Sequence, residues 1–334
     1  MRISIVILNW NTREYLQRWL PALLESCRRI NSSGNSSASV TVADNASTDD
    51  SVRMLSESFP GVRTIVLDRN YGFTGGYNRA FEGDDADLYV LINSDIEVRD
   101  GWLEPLVQWM EEHPLCAVCG PKILSLREEG HFEYAGAAGG YLDRFGYPFC
   151  RGRVFSRVEK DCGQYDTPES VLWVSGACMM VRSCVWKSLG GLDSRFFAHM
   201  EEIDFCWRAA LDGYSVDVVP ASQVKHLGGG TLSKDSPFKL KLNYRNNLLM
   251  LEKNLPRTVG SPRAGLRIFT RMILDIVMAM VYLACGKWKS FKAVLDAHSE
   301  FRELSTGIRK GIRTGTQIAG YRNNFIIFEY LKNS

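Results

Sequence analysis

The sequence predicts an α/β fold: a mostly parallel central sheet with helices on both faces, followed by a helical extension at the C-terminal end. Three observations lead there. Apolar runs of strand length alternate with helical patterns through the N-terminal third of the chain, the order that builds a parallel sheet. The runs are almost unbroken Val, Ile and Leu, as strands buried on both faces require. Successive runs end at polar residues, Asn9 and Asn11, then Asp44 and Asn45, then Asn93 and Asp95, which would line one edge of the sheet.

The elements follow in order. Residues 3–8 form a first strand, and a helical pattern over 12–30 repeats Tyr15, Leu16, Trp19, Leu20, Leu23 and Leu24 on one side. After a polar loop, 39–43 is a second strand, 49–59 a short helix and 63–67 a third strand. Residues 77–82 begin another helix, which leads to the strand 88–93. Beyond it, 102–112 is a helix ended near Pro114, and 115–123 a buried strand. Residues 134–155, rich in glycine and aromatics, suit loops or short antiparallel strands, and 171–181 is apolar enough for one more buried strand.

Size and composition bound the function. With 334 residues, 45% of them hydrophobic and 23% charged, the chain is an ordinary globular protein. A net charge of +2 gives no reason to expect nucleic acid as a partner. The chain runs from Met1-Arg2 straight into a strand, and its 9 cysteines follow no repeating framework; both suit a cytoplasmic protein with reduced thiols. Cys116 and Cys119 form a C-x-x-C inside an apolar run, with no second pair at zinc spacing, so they belong to the core.

Chemistry concentrates at a few places. Asp95 ends a buried strand, where a carboxylate either holds a divalent cation against a phosphate or starts a turn. Asp44 can accept a hydrogen bond from a pyrimidine N3–H or cap the helix that follows. The stretch 70–76 places glycines before a helix, which lets backbone approach an anion, and Arg69 precedes it. It is not G-x-G-x-x-G after the first strand, which excludes the dinucleotide-dehydrogenase pattern. Glu201, Glu202 and Asp204 open a helix among Phe196, Phe197, Phe205 and Trp207. Apolar walls would lift a carboxylate pKa toward the range of a general base. His199 lies close to these acids with no role assigned to it.

Taken in order, these pieces resemble the family 2 inverting glycosyltransferases of GT-A fold, in their rhamnosyltransferase-like branch. The matching pieces are Asn9-Trp10-Asn11, Asp44-Asn45-Ala46-Ser47-Thr48-Asp49, Asn70-Tyr71-Gly72 through Asn78, Asn93-Ser94-Asp95, Gly176-Ala177-Cys178-Met179, 196–208 and His226. The resemblance covers residues 3–255. It implies a catalytic domain over 1–255, with 1–125 holding the nucleotide sugar and 126–255 the acceptor, and a basic, partly amphipathic helical tail over 256–334. It also implies transfer of a sugar, rhamnose by the branch, from a nucleotide-diphosphate donor to a polysaccharide or lipid-linked glycan.

The same resemblance assigns the nucleotide sugar to Asn9, Asn11, Asp44, Asn45, Asn70, Gly72, Asn78, Asn93 and Asp95. Asp95 is the last acid of the family's D-x-D motif, with Asn93 in place of the first, and His226 is the distant metal ligand for Mg²⁺ or Mn²⁺. Glu202 stands at the catalytic base, with Glu201 the alternative and Asp204 beside them. Trp173, Gly176 and Arg208 are assigned to the acceptor side. Two rivals remain: an inactive nucleotide-sugar-binding subunit, favoured by Asn93, and a nucleotidyltransferase, disfavoured by the late acidic cluster.

The tail carries a mostly apolar stretch, 268–285, interrupted by Arg271 and Asp275 and too short for a membrane span of ~20 residues. Arg257, Arg263, Arg267, Arg271, Lys287, Lys289 and Lys292 surround it. Such a helix suits an anionic membrane surface; the alternative is packing on the catalytic domain or on a second copy in a homo-oligomer.

Overall fold

The computed structural model describes residues 1–228, 236–308 and 318–332. Strand β1 (Arg2–Asn9) is followed by α1 (Arg13–Ser33), β2 (Ser37–Asp44), α2 (Ser51–Ser58), β3 (Arg63–Val66), α3 (Gly72–Ala80) and β4 (Leu88–Asn93). Next come β5 (Ile96–Val98), α4 (Leu103–Glu112) and β6 (Cys116–Ser125). Short strands follow: β7 (Gly140–Leu142), β8 (Pro148–Cys150), β9 (Arg153–Val154), β10 (Arg157–Val158) and β11 (Glu169–Ser170). The chain continues through β12 (Cys178–Arg182), α5 (Ser183–Leu189), a 3-10 turn at Ser194–Phe196, α6 (Glu201–Leu211) and β13 (Ser215–His226). Helices α7 (Pro237–Val259), α8 (Ser261–Ala284), α9 (Trp288–Leu304) and α10 (Ile326–Lys332) complete it.

The central sheet has nine strands in the order β11-β13-β6-β12-β4-β1-β2-β3, with β5 paired to β13. Its first half is parallel: β1 pairs β2 and β4, with Asn9 opposite Asp44 and Leu8 opposite Asn93. That register sets the three polar strand ends side by side. The second half turns antiparallel around β12, which lies between β4 and β6. Residues of β4 from Leu88 to Ile92 are fully buried, and each face of the sheet has its own apolar core. Burying both faces is what selects the continuous Val/Ile/Leu runs. The strands β7 to β10 form a separate four-stranded antiparallel sheet; β7 to β9 lie within the segment 134–155 expected to hold short strands, and β10 just beyond it.

Two expectations are corrected. The helix expected from residue 77 begins at Gly72, so the glycine-rich stretch is helix rather than loop. Its glycines serve close packing: a Cβ on Gly76 would lie 2.5 Å from Leu8 of β1. The strand expected over 171–181 is regular only from Cys178. Upstream, Val171 N donates to Val216 O at 2.8 Å and Leu172 N to Gly140 O at 2.9 Å, so the buried backbone is satisfied without a continuous ladder.

Candidate active site

The loops after β1 and β2 are knitted together at the sheet edge. Asn9 Nδ2 donates to Asp44 Oδ2 at 2.7 Å and to Ser47 Oγ at 3.0 Å, and Ser47 N donates to Asp44 Oδ1 at 2.9 Å. Asp44 is 1% exposed. Asn11, in the left-handed region at φ 55, accepts from Thr48 N at 2.7 Å. Asn45 donates to Asn70 Oδ1 and to Gly72 O, each at 3.0 Å, and accepts from Tyr71 N. The amides of Phe73 and Thr74, where an anion would dock on α3, instead donate to Phe197 O at 2.7 and 3.2 Å. Arg69 lies over the Tyr71 ring.

Asp95 and His226 meet because β5 runs antiparallel to β13, which pairs His226 with Ile96. His226 Nε2 stands 3.1 Å from Asp95 Oδ1, and its Nδ1 lies 3.5 Å from Glu133 Oε2. Burial alone would lower the imidazole pKa, yet the carboxylates of Asp95 and Glu133 push it up to about 10. Glu133 escaped the sequence reading, since nothing in its neighbourhood marks it; only the fold brings it to a histidine far along the chain. Asn93 is half-buried at the end of β4, and its backbone N–H is held by Ala177 O.

The acids of α6 divide by what they touch. Asp204 is fully buried, bound by Arg208 Nε at 2.8 Å, Lys253 Nζ at 3.1 Å and Asn254 Nδ2 at 2.8 Å. Arg208 also donates to the carbonyls of Leu189 and Gly191. Both residues anchor α6, which takes Arg208 away from the acceptor side. Glu201 is 4% exposed, while Glu202 is half-buried. One carboxylate oxygen of each has no partner. Glu202 faces Gly176 and Phe73: a Cβ on Gly176 would meet Phe73 at 3.3 Å and Glu202 Cβ at 3.4 Å. Burial pushes the Glu202 carboxyl up to about 7. Burial first, and the charge of Glu202 second, raise Glu201 well above the carboxylate range.

Two further assignments change. Trp173 is 3% exposed, donates Nε1–H to Tyr141 O at 3.1 Å and has Gly140 pressed on its ring, so it is a core residue with no face for a sugar. Asn78 clamps Leu192, donating to its carbonyl at 2.7 Å and accepting from its N–H at 2.9 Å.

The loop before the acids is strained. Phe197, His199 and Met200 have φ of 64, 71 and 72, a region that costs non-glycine residues ~1–3 kcal/mol each. Asn246 of α7 holds it, its Nδ2 donating to the carbonyls of Phe196, Ala198 and His199 at 2.9, 2.8 and 2.8 Å. Arg245 adds bonds to the carbonyls of Arg195 and Phe196. His199 Nε2 has no partner, and burial lowers its pKa to about 4, aided by Lys239. On β9, Arg153 is 6% exposed with its Nε unpartnered; Nη2 donates to Cys150 Sγ at 3.2 Å and the guanidinium lies over the Tyr134 ring. The Glu133 carboxylate also favours the charged form of Arg153, so a buried cation borders the same edge.

The sheet and its flanking helices have the fold of solved GT-A glycosyltransferases. The chain belongs to glycosyl transferase family 2, whose sequence profile matches residues 4–182. It is 25% identical over 283 residues to N-acetylglucosaminyl-diphospho-decaprenol L-rhamnosyltransferase of Mycobacterium tuberculosis, covering 79% of this chain and 88% of that protein. Among solved structures it is similar to S. aureus TarS, with a TM-score of 0.57 at 12% identity over 90% of this chain and 80% of that one. It is also similar to the mannosyltransferase PcManGT from Pyrobaculum calidifontis, solved in complex with GDP-Man and Mn²⁺: the TM-score is 0.55 at 13% identity, over 91% of this chain and 76% of that one. These two likenesses concern the fold.

Proposed function

We propose that the protein transfers a sugar, rhamnose by its relatives, from a nucleotide-diphosphate donor to a hydroxyl of a lipid-linked or polysaccharide glycan, with inversion. The observation that carries this reading is Glu202: a half-buried carboxylate beside Gly176, with one oxygen unpartnered and a pKa lifted to about 7. Such a group is poised near neutral pH to accept a proton. Glu202 takes the acceptor hydroxyl's proton as that oxygen bonds to the anomeric carbon. The carbon–oxygen bond to the diphosphate breaks on the opposite side, and the nucleoside diphosphate departs. Glu201, deeper and likewise raised by burial and by the charge of Glu202, lies beside it.

Donor binding is assigned to the edge formed by Asn9, Asn11, Asp44, Asn70 and Asn93, with Asn45, Gly72 and Asn78 shaping the backbone around it. Among the described residues no three His, Cys, Asp or Glu side chains form a metal cluster. The donor set still fits a divalent ion that takes its other ligands from phosphate and water. Asp95 Oδ1 and His226 Nε2, 3.1 Å apart and now hydrogen-bonded to each other, are the two side chains that would hold it, and Glu133 behind the imidazole is the carboxylate that commonly orients a ligating histidine. Such an ion would neutralise charge on the departing diphosphate; Arg153 is a second positive charge available there. In this reading the enzyme works in the cytoplasm, at the inner face of the membrane that holds its acceptor.

The test uses nucleotide sugars screened by thermal shift with Mn²⁺ or Mg²⁺, then transfer by wild type and Glu202→Gln. The expected result is donor binding retained and transfer reduced by at least ~10²-fold. Transfer by Glu202→Gln at the wild-type rate overturns the assignment of the base. Donor binding without turnover on any lipid-linked acceptor favours the inactive-subunit reading that Asn93 suggests.

A further inference from the structure

Helix α8 is built inside out. Its charged pair faces the protein: Arg271 Nε donates to Asp275 Oδ1 at 2.7 Å, and Arg271 Nη1 to Asn247 Oδ1 at 2.7 Å and Phe145 O at 3.0 Å. His298 of α9 lies 3.4 Å from the other Asp275 oxygen. Asp275 is fully buried and Arg271 5% exposed. Every exposed position of α8 from 266 to 284 is apolar, including Leu266, Phe269, Ile273, Ile276, Met280 and Val281. The 19 residues from 266 to 284 make this face about 28 Å long. An uninterrupted apolar stripe of that length on a surface marks an interaction site.

The charge around the stripe identifies what covers it. Exposed Arg263 stands at one end, and Lys287, Lys289 and Lys292 at the other, with no acid exposed between them. Trp288, 60% exposed, lies among the lysines. Two copies of α8 packed antiparallel would set these basic ends against each other, and a second copy offers no acid along the stripe to offset them. An anionic lipid surface offers both partners at once: acyl chains for the stripe, and headgroup phosphates for the cations, with tryptophan at the boundary. No helix among the described residues is long and apolar enough to cross a membrane.

We infer that α8 lies flat in the interface of an anionic membrane, its Leu266–Val281 face in the acyl region and Lys287, Trp288 and Lys289 at the headgroups. Arg271 of α8 ties to Asn247 of α7, whose neighbour Asn246 holds the loop before Glu201 and Glu202. The docked helix is thus tied to the loop that precedes the acids, and we place the acceptor side of the cleft beside the membrane. That orientation rests on the proposed transfer to a lipid-linked acceptor; the docking does not.

The test is flotation of the full-length protein with phosphatidylcholine vesicles, with and without about one third phosphatidylglycerol. The expected result is at least ~10-fold tighter binding to the anionic vesicles, weakened by salt. Ile273→Glu with Ile276→Glu should cut binding at least ~10-fold while leaving the thermal midpoint and the donor-induced thermal shift in place. Lys287→Glu with Lys289→Glu should remove the preference for anionic lipid. Quenching of tryptophan fluorescence by brominated acyl chains should fall in Trp288→Phe. Absence of vesicle binding, or binding unchanged by the paired glutamates, overturns the inference. A dimer dissociated by the same glutamates, with no vesicle binding, overturns it in favour of a second copy. Vesicle binding as expected without sugar transfer would leave the docking in place and refute the function alone.

Discussion

Asn246→Ala tests whether the strained loop before α6 is part of the machinery. The two amide protons of Asn246 are shared by three carbonyls at 2.8–2.9 Å, and its oxygen accepts from Arg245 Nε at 2.9 Å. Two net hydrogen bonds are worth ~1–3 kcal/mol, and a carbonyl left buried without a partner costs ~1–3 kcal/mol more. The expected loss of stability is therefore ~2–6 kcal/mol, read as a fall in the urea midpoint at unchanged slope. The strain at Phe197, His199 and Met200 adds a second consequence. Without the clamp those residues relax toward ordinary φ, and the first turn of α6 shifts with them. A displacement of about 1 Å at a reacting group costs on the order of 10²-fold in rate. The expected signature is a large fall in kcat, a donor KM within ~3-fold of wild type, and faster amide exchange over 197–200. A urea midpoint that falls as expected while kcat stays within ~2-fold would refute the coupling of strain to catalysis.

Transfer should rise with pH through about 7 as Glu202 ionises, and the limb should disappear from the residual activity of Glu202→Gln. Stability should move the opposite way. A carboxyl raised in the fold keeps its proton above the unfolded value of 4.5, so folding stability falls between 4.5 and about 7, and Glu202→Gln should flatten that fall in a urea titration. His226→Ala should abolish the Mn²⁺-dependent part of the donor-induced thermal shift, and Glu133→Gln should weaken it by ~10–100-fold in metal affinity. Arg153→Met, which removes a buried guanidinium stacked on the Tyr134 ring, should weaken nucleoside-diphosphate binding by ~10-fold or more.

The parallel half of the sheet was legible because burial on both faces leaves a strand little choice but Val, Ile and Leu. Once β1, β2 and β4 are parallel neighbours, their polar ends must share an edge, and Asn9, Asp44 and Asn93 do. Contacts set by the antiparallel half were not legible. Glu133 reaches His226 only because β13 crosses to β6 and β5, a pairing no local pattern announces. The glycines at 72 and 76 were misread for a related reason. A glycine that admits a ligand and one that admits a neighbouring strand look alike in sequence, and here Leu8 and Phe197 fill the space.

Helix α8 shows the deeper limit. Its periodicity reveals two unlike faces, with Arg271 and Asp275 four residues apart on one of them. Periodicity gives the separation of faces but not which one looks inward. The default puts charge in water, so Arg271 was counted among the surface cations; instead it is sealed against Asp275, Asn247 and the ring of Tyr147. A buried ion pair is a poor source of stability, since desolvation offsets most of its attraction. Helices α7 and α9 could have received an apolar face of α8 at lower cost. The inversion gains nothing for an isolated fold and becomes favourable only where the outer face leaves water. The position of the charges is thus itself an argument for a surface that covers α8.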